Sequence, residues 1–335
     1  MPGRYDAITD VPGIRVGHWT DRRGGTGCTA IVCVAGALGA VDVRGGAPGS
    51  RELEVLASQN LVRTAHAVLL TGGSAYGLAA ADGVMRWLEE NGAGFESAFR
   101  RVPIVPTAVL YDLGVGRADV SPSAESGYLA ARRARSGTLH QGSVGAGTGA
   151  TVAKLMGREY AMKGGIGTAS FLGPNGTVVG AIAACNAVGN VIDPSTGETV
   201  AGSRGLPGAF VSLAETLKSR TEAADALRAN TTLVCIATNA RLEHGQLQRL
   251  AIQAHDGLAR AIFPAHTFAD GDIAFALSTA QVAVEQHHLL DLGVLTVLAV
   301  EAAILRSVRL ARGLLGVPSA SDWRSTTATN IPDLS

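Results

Sequence analysis

Aromatic residues are scarce in this chain, at 4% of its 335 residues, and neither charge is in excess because 28 Lys and Arg balance 28 Asp and Glu. A balanced charge creates no overall field that would attract nucleic acid or an anionic membrane, so neither is expected as a partner. The shortage of aromatics disfavours an aromatic-rich binding face, whereas 43 glycines indicate tight turns and close backbone approaches. We therefore expect a small or neutral substrate and a site lined by backbone groups.

The four cysteines have no Cys-x-x-Cys spacing and no pairing with histidine at zinc-ligand distances. They are predicted to be small buried residues, and no metal or cofactor is expected. The first six residues contain no apolar signal core, and the longest hydrophobic run, 292–300, is bounded by Asp291 and Glu301. These features predict a soluble, cytoplasmic protein.

Short apolar runs alternate with helical patterns along the whole chain. The alternation predicts a fold of the α/β or α+β class. The last helical pattern is apolar nearly all round, which predicts that another layer or another subunit covers it and that the protein is an oligomer. Strands are predicted over 14–16, 28–34, 39–43, 67–70, 104–110, 160–162, 178–185, 233–238 and 273–277, and helices over 75–90, 124–135, 213–228, 242–262 and 289–310.

The most informative local pattern is Asn230-Thr231-Thr232, at the entrance to the strand predicted over 233–238. A threonine hydroxyl can attack its own upstream carbonyl, and the N-to-O acyl shift followed by hydrolysis would leave Thr231 as a new N-terminus. The freed α-amine, with an ordinary pKa of about 7.7 to 8.0, could then act as the base for the hydroxyl beside it. The alternative from these residues alone is that Thr231 and Thr232 only begin a strand.

Two carboxylates, Asp270 and Asp272, stand two residues apart just before the strand predicted over 273–277. Side chains at this spacing on extended backbone point the same way, and their proximity would raise the pKa of one of them. The pair would then supply an acid and a base to Thr231 and its amine. A turn with two solvated carboxylates is the alternative, and metal binding has no obvious third ligand.

A glycine pair before a predicted helix, in the segment 71–77, resembles an anion-binding nest. Tyr76 in the first turn could donate its phenolic hydroxyl into the same space or pack in the structure. Lys163 precedes a second glycine pair, where it could hold a carboxylate or be solvated. Asn186 ends an apolar strand as a buried amide, and donating to an oxyanion is one of its options.

Several other site classes find no support in the sequence. The segment 145–150 matches a dinucleotide fingerprint only superficially, because the residues before it are polar. His244 and His255 are too far apart for a helical metal pair, and His287 and His288 are expected at the surface. None of the eight histidines is predicted to be catalytic, and no Gly-x-Ser-x-Gly elbow is present.

Taken in order, these motifs resemble those of the DmpA-type β-peptidyl aminopeptidase family, which includes a nylon-oligomer hydrolase and a pantetheine hydrolase. The resemblance covers nearly the whole chain, and although each motif is weak singly, their ordered occurrence is specific. It rests on the segments 8–18, 72–78, 145–150, 163–168, 186–189, 230–232 and 270–272.

The resemblance implies a four-layer αββα sandwich of the kind that ornithine acetyltransferases share. It also implies self-cleavage of a single catalytic domain into an α chain, 1–230, and a β chain, 231–335. The processed protomers are expected to form a homo-oligomer, commonly a tetramer.

The resemblance also assigns roles by position. Thr231 is implied as the nucleophile, Asn186 and Tyr76 as contributors to the oxyanion and substrate site, and Lys163 as a supporting charge. Lys154 lies close enough in sequence to be the relevant lysine instead.

Asp270 and Asp272 occupy the place where the aminopeptidase members have a serine and a glutamate. In this respect the chain is similar to the nylon-oligomer and pantetheine hydrolases. The sequence therefore predicts an N-terminal threonine hydrolase with aminopeptidase-type action on small peptides. The alternatives are hydrolysis of non-peptide amides, acyl transfer of the ornithine acetyltransferase type, and anion or nucleotide binding by an uncleaved chain.

Overall fold

A nine-stranded sheet organises the computed structural model, which describes residues 1–212 and 230–325. The helix predicted over 213–228 lies outside the described residues. The strand order is β10 (Gly165–Leu172), β11 (Val178–Asn186), β14 (Thr231–Arg241), β16 (Ile273–Ala283), β2 (Thr26–Val43), β4 (Thr64–Thr71), β7 (Thr107–Val109) and β3 (Ser50–Arg51), with β1 (Arg15–Asp21) also paired to β2. The pairs β4–β7 and β14–β16 are parallel and the other pairs are antiparallel.

The long strand β2 belongs to two layers of this sheet. Its first part pairs with β4 and its last part with β16, and the register shifts between Val32 and Ala37. Gly36 within that interval has φ +78°, a left-handed conformation that favours glycine. The sequence patterns predicted two strands here, over 28–34 and 39–43, and the structure has one irregular strand that turns the sheet back over itself.

Apolar side chains fill the space between the two sheet layers. Ile31 and Leu70 from one layer share a buried cluster with Ile182, Cys235 and Leu277 from the other. Successive residues of a strand point to opposite faces, so the intervening residues face outward, toward helices. The four cysteines are all buried and free, as predicted.

Helices cover both outer faces of the folded sheet. The helices α1 (Ala80–Glu90) and α2 (Ala124–Arg132) pack on one face, and α3 (His244–Ala261) and α4 (Leu289–Arg309) pack on the other. The arrangement is a four-layer αββα sandwich, which confirms the predicted fold. The remaining elements are β5 (Phe95–Glu96), β6 (Arg101–Val102), β8 (Thr151–Val152), β9 (Met162–Lys163), β12 (Asn190–Ile192), β13 (Thr199–Ala201), β15 (Ile262–Phe263), α5 (Ala320–Arg324) and short 3₁₀ turns.

Strand β10 is absent from the sequence prediction because glycines interrupt its apolar pattern. Their role is close packing, since a Cβ at Gly165 would lie 2.3 Å from the carbonyl oxygen of Ser307 and one at Gly167 would lie 2.1 Å from that of Ala303. Both carbonyls belong to α4. The missing side chains therefore let this helix lie directly on the strand.

Helix α4 and the residues before it, Gln286–Arg309, are long and apolar enough to cross a membrane by length and composition alone. That is weak evidence for a span, because a core helix meets the same criterion and half of its most apolar window is buried in the fold. Leu290, Val294 and Leu298 lie on the other side of α4 and are 74%, 51% and 39% exposed. The predicted subunit contact stays a prediction.

Candidate active site

Thr231 is the first residue of β14, and the sheet places it beside both motifs predicted to serve it. On one side β11 runs antiparallel, with Asn186 directly opposite Thr231. On the other side β16 runs parallel, and Asp270 forms a bridge with Asn230. Because parallel strands begin at the same edge of a sheet, the residues that precede β14 and β16 necessarily meet there. Thr231 is buried at this edge.

Two hydrogen-bond donors converge on the Asn230 carbonyl oxygen. The Thr231 hydroxyl contacts it, and the Gly271 N–H donates to it at 2.8 Å. A side chain at residue 271 has no room, because a Cβ there would lie 2.8 Å from Thr231 Oγ1 and 2.6 Å from the Ala47 carbonyl oxygen. The glycine between the two aspartates thus brings a backbone donor to the bond that the sequence predicts to be cut.

The Asp272 carboxylate is held by two backbone N–H groups and contacts a histidine ring nitrogen. One oxygen accepts from the backbone N–H of Thr232 at 2.7 Å. The other oxygen accepts from the backbone N–H of His266 at 3.0 Å and lies 2.9 Å from its ring Nδ1. Asp272 therefore fixes Thr232, the residue that follows Thr231. The sequence patterns predict no catalytic histidine and give no signal for this contact of His266, because a partner six residues away depends on the path of the loop.

The Asp270 carboxylate has separate partners. It accepts from the Val188 N–H at 3.2 Å and from the Thr267 hydroxyl at 2.5 Å. Asp270 and Asp272 are each 1% exposed. Burial raises the pKa of Asp270, and the negative charge of Asp272 raises it further. Asp270 is therefore the member of the pair suited to hold a proton.

Lys154 contacts Asn186, the residue opposite Thr231. Its Nζ donates to the Asn186 carbonyl oxygen at 2.9 Å and to the side-chain oxygen at 3.0 Å. The Thr151 N–H donates to the same side-chain oxygen at 2.9 Å, while Asn186 Nδ2 donates to the Tyr111 carbonyl oxygen at 3.1 Å. Burial lowers the pKa of Lys154 to about 7, an effect that the charge of Asp270 opposes.

Lys163 has a different environment. Its Nζ donates to the carbonyl oxygens of Gly147, Ala150 and Gly164 at 3.1, 2.5 and 3.1 Å. The side chain is fully buried, and burial lowers its pKa to about 7. Of the two candidate lysines, the structure brings Lys154 to Asn186 and uses Lys163 to hold the glycine-rich loop 147–150.

The predicted anion nest at residues 71–77 is occupied by the protein itself. The Gly73 N–H donates to Asp112 Oδ1 at 2.7 Å. Burial raises the pKa of this carboxyl to about 6. Tyr76 is 73% exposed, and no described residue gives its phenol a hydrogen bond. The structure thus does not join Tyr76 to the Thr231 cluster.

Tyr111 contacts the site through Asn186 and is absent from the sequence prediction. Its carbonyl oxygen holds Asn186, and the Arg158 guanidinium lies over its ring at 5.2 Å. A cavity of about 50 Å³ opens beside Tyr111, Lys154 and Arg158. The available signal was its place at the carboxyl end of the strand predicted over 104–110, where side chains reach a sheet edge. No group of three His, Cys, Asp or Glu within the described ranges could hold a metal ion.

The sheet edge thus gathers the buried Thr231, the opposite Asn186 with its lysine, and two buried carboxylates. These groups are suited to amide hydrolysis. The family model for Peptidase family S58 matches residues 6–320. This chain belongs to Peptidase family S58. The S58 chain is therefore a hydrolase of peptide and amide bonds, with aminopeptidase or amidase activity. The predicted resemblance to the DmpA-type family is confirmed.

Relatives of this S58 chain include an uncharacterized aminopeptidase of Mycobacterium tuberculosis, 43% identical over 95% of this chain and 97% of the relative. A 6-aminohexanoate-oligomer endohydrolase of Kocuria sp. is 34% identical over 84% of this chain and 77% of its own length. Both alignments span most of the two proteins compared.

Solved structures extend the likeness of the S58 chain to the fold. A Burkholderia sp. beta-aminopeptidase superposes with a TM-score of 0.68 at 25% identity, covering 93% of this chain and 88% of the other. An L-aminopeptidase D-Ala-esterase/amidase from Ochrobactrum anthropi, described as a variant of the Ntn hydrolase fold, gives a TM-score of 0.72 at 21% identity, covering 94% and 88%. The chain thus has the fold of the N-terminal nucleophile hydrolases.

Proposed function

We propose that the chain cuts its own Asn230–Thr231 bond and then hydrolyses amides through an acyl-enzyme on Thr231. The observation that carries the proposal is the convergence of the Thr231 hydroxyl and the Gly271 N–H on the Asn230 carbonyl. A nucleophile and an oxyanion donor at one peptide bond are the two parts that an N-to-O acyl shift requires.

The cut proceeds in two steps. Thr231 Oγ1 bonds to the Asn230 carbonyl carbon, and the oxygen that gains negative charge remains bound to the Gly271 N–H. The C–N bond then breaks, the nitrogen takes up the hydroxyl proton, and an ester links Asn230 to Thr231 Oγ1. Water hydrolyses this ester, which leaves a carboxylate on Asn230 and a free amine on Thr231.

Substrate hydrolysis reuses the same atoms. The α-amine of Thr231 accepts the hydroxyl proton while Oγ1 bonds to the substrate carbonyl carbon, and the proton passes to the leaving amine as the C–N bond breaks. Water then hydrolyses the ester on Oγ1, which releases the acid and restores the Thr231 hydroxyl. Lys154, with a pKa near 7, contacts Asn186 opposite Thr231 and suits proton transfer near neutral pH. Asp270, with a raised pKa, can hold a proton at the other side. Asn186 has a second amide N–H beyond the one bound to Tyr111, and it is the side-chain candidate for the substrate oxyanion.

Small peptides with a free N-terminus are the substrates we propose first, in keeping with the relatives named aminopeptidases. Linear amide oligomers are a second candidate, because a relative named 6-aminohexanoate-oligomer endohydrolase is 34% identical and the paired aspartates favour this branch. A dipeptide and an N-acetylated linear 6-aminohexanoate trimer, assayed separately, distinguish the two. Cleavage of the blocked trimer would favour the amidase reading, since an aminopeptidase requires the free amine.

The test of the proposed function compares Thr231→Ala with Thr232→Ala. The first variant should hydrolyse neither substrate, whereas the second keeps the nucleophile and should retain most activity. Full activity of Thr231→Ala would overturn the proposal. Circular dichroism of both variants checks that the fold is unchanged.

A further inference from the structure

His266 lies in the loop between β15 and β16, six residues before Asp272. Its backbone N–H and its ring Nδ1 both reach the same Asp272 oxygen, at 3.0 and 2.9 Å. The residue has φ +55°, in the left-handed region that non-glycine residues seldom occupy. One residue thus places two nitrogen atoms against one buried carboxylate oxygen from an unfavourable backbone conformation.

The contacts of Asp272 fix which nitrogen of His266 carries the ring proton. Asp272 accepts from Thr232 on one oxygen and from the His266 backbone on the other, so the carboxylate acts as acceptor throughout. The ring nitrogen that faces it must therefore be a donor, which places the proton on Nδ1. Nε2 is buried and has no hydrogen-bond partner among the residues that the structure describes.

The groups packed around the His266 ring come from three elements. Asp272 faces it from the loop, and His255 of α3 meets it edge-on with ring centroids 4.7 Å apart. His255 Nε2 donates to the carbonyl oxygen of Asp42 on β2 at 3.0 Å and lies 3.6 Å from its carboxylate. Burial lowers the pKa of His255, the hydrogen bond to Asp42 opposes this shift, and the charge of His266 adds to it.

We infer that His266 is a positioning residue for the nucleophile: it orients Asp272, and Asp272 holds the Thr232 N–H and thereby the chain that carries Thr231. The chain of contacts has two links, and neither touches the substrate. The inference rests on the proposed function, because it assumes that Thr231 is the attacking group. No other histidine within the described ranges lies against Asp270 or Asp272.

The first experiment reads the proton without using activity. Protein labelled with ¹⁵N-histidine is examined by long-range ¹H–¹⁵N NMR at pH 7.5, and His266→Asn identifies the signals of His266. A proton on Nδ1 is expected. A ring protonated on Nε2 alone would overturn the inference, because Nδ1 could then not donate to Asp272.

The second experiment measures turnover in three variants. His266→Ala should lower kcat by about ten- to a hundredfold, as the loss of a charge-assisted hydrogen bond does, with KM changed less than about twofold. His266→Asn, whose amide can donate to Asp272 and which tolerates positive φ, should recover part of the loss. His287→Asn is the matched control, because His287 also faces a carboxylate, Glu285 at 3.4 Å, but at the surface.

Equal losses in the Asn and Ala variants, or a change in KM alone, would overturn the inference and leave His266 a packing residue. A parent protein that hydrolyses neither substrate contradicts the proposed function instead. In that case the position of the ring proton still decides whether His266 orients Asp272.

Discussion

The Gly271 N–H donates to the Asn230 carbonyl oxygen at 2.8 Å, across the two strand entrances that the parallel pairing of β14 and β16 brings together. This contact joins the middle of the Asp270–Asp272 motif to the bond that the account requires to break. It also explains why the spacer between the two aspartates is a glycine, since the Thr231 hydroxyl and the Ala47 carbonyl fill the space of a Cβ.

Gly271→Ala is therefore expected to slow self-cleavage by about a hundredfold, the usual loss when an oxyanion donor is displaced. The added methyl group must displace either Thr231 Oγ1 or the backbone carbonyl of Ala47. The measurement is the half-time of conversion to two chains, followed by intact mass. Gly245→Ala is the control, because a Cβ there meets nothing within 4 Å. Equal half-times for the two variants would contradict the role of the Gly271 donor.

Lys154 and Lys163 should give different defects. Lys154→Met removes both hydrogen bonds to Asn186, so we expect kcat to fall at least about tenfold with a small change in stability. Lys163→Met releases three carbonyls of the glycine-rich region, so we expect a loss of stability of about 1–3 kcal/mol. Kinetics and urea unfolding of both variants make the comparison. The reverse pattern would assign the catalytic charge to Lys163.

The same two lysines predict how stability changes with pH. Their folded pKa values are near 7, below the ordinary 10.5, so above pH 7 the unfolded chain binds more protons than the folded chain. The free energy of unfolding should therefore rise from pH 7 to 9, by up to about 1.4 kcal/mol per pH unit for each lysine. Above pH 9 the raised pKa values of buried cysteines such as Cys28 oppose this rise.

Urea unfolding at pH 7, 8 and 9 checks this slope. Lys163→Met should remove about half of the increase, because the Lys154 contribution remains. A parent protein whose stability is flat or falls across this interval would show that the buried lysines do not carry the pH dependence.

The exposed stripe on α4 gives a prediction about assembly. Leu290, Val294 and Leu298 recur every four residues and are open to solvent on a helix whose other side is buried. We expect the processed protein to form a homo-oligomer, with a tetramer as the state that the family resemblance implies, and we expect this stripe to lie at a contact between subunits. Light scattering after size exclusion should give a smaller mass for Val294→Asp than for the parent. Asp291→Asn, on the same helix, is the control.

The proximity of residues at the ends of paired strands could be predicted from the sequence, whereas contacts made by loop residues could not. Asn186, Thr231 and Asp270 each sit at the end of a strongly apolar strand, and strand pairing alone brings such ends together. Tyr76 was predicted at the site because a glycine pair before a helix indicates an anion site, whereas in the fold Asp112 fills that site. The local sequence pattern did not show that the bound anion would be a carboxylate of the same chain, that of Asp112.

Other differences have the same origin in long-range packing. The contact between His266 and Asp272 depends on the left-handed backbone conformation of His266, and no sequence pattern indicates that conformation. Strand β10 contains glycines that make room for α4. The same glycines interrupt its apolar pattern in the sequence, yet they allow the strand to pack against the helix. The chain has three lysines among its 28 basic residues, and two of them, Lys154 and Lys163, are buried. The rarity of lysine in the sequence was therefore a signal that could have pointed to both Lys154 and Lys163.

The intact mass of the purified protein, measured under denaturing conditions, tests the central claim most directly. The account predicts two chains, 1–230 and 231–335, with the second beginning at Thr231, and a single uncut chain for Thr231→Ala. A parent protein that stays one chain of 335 residues while it hydrolyses amides would contradict the account, because Thr231 would then have no free amine.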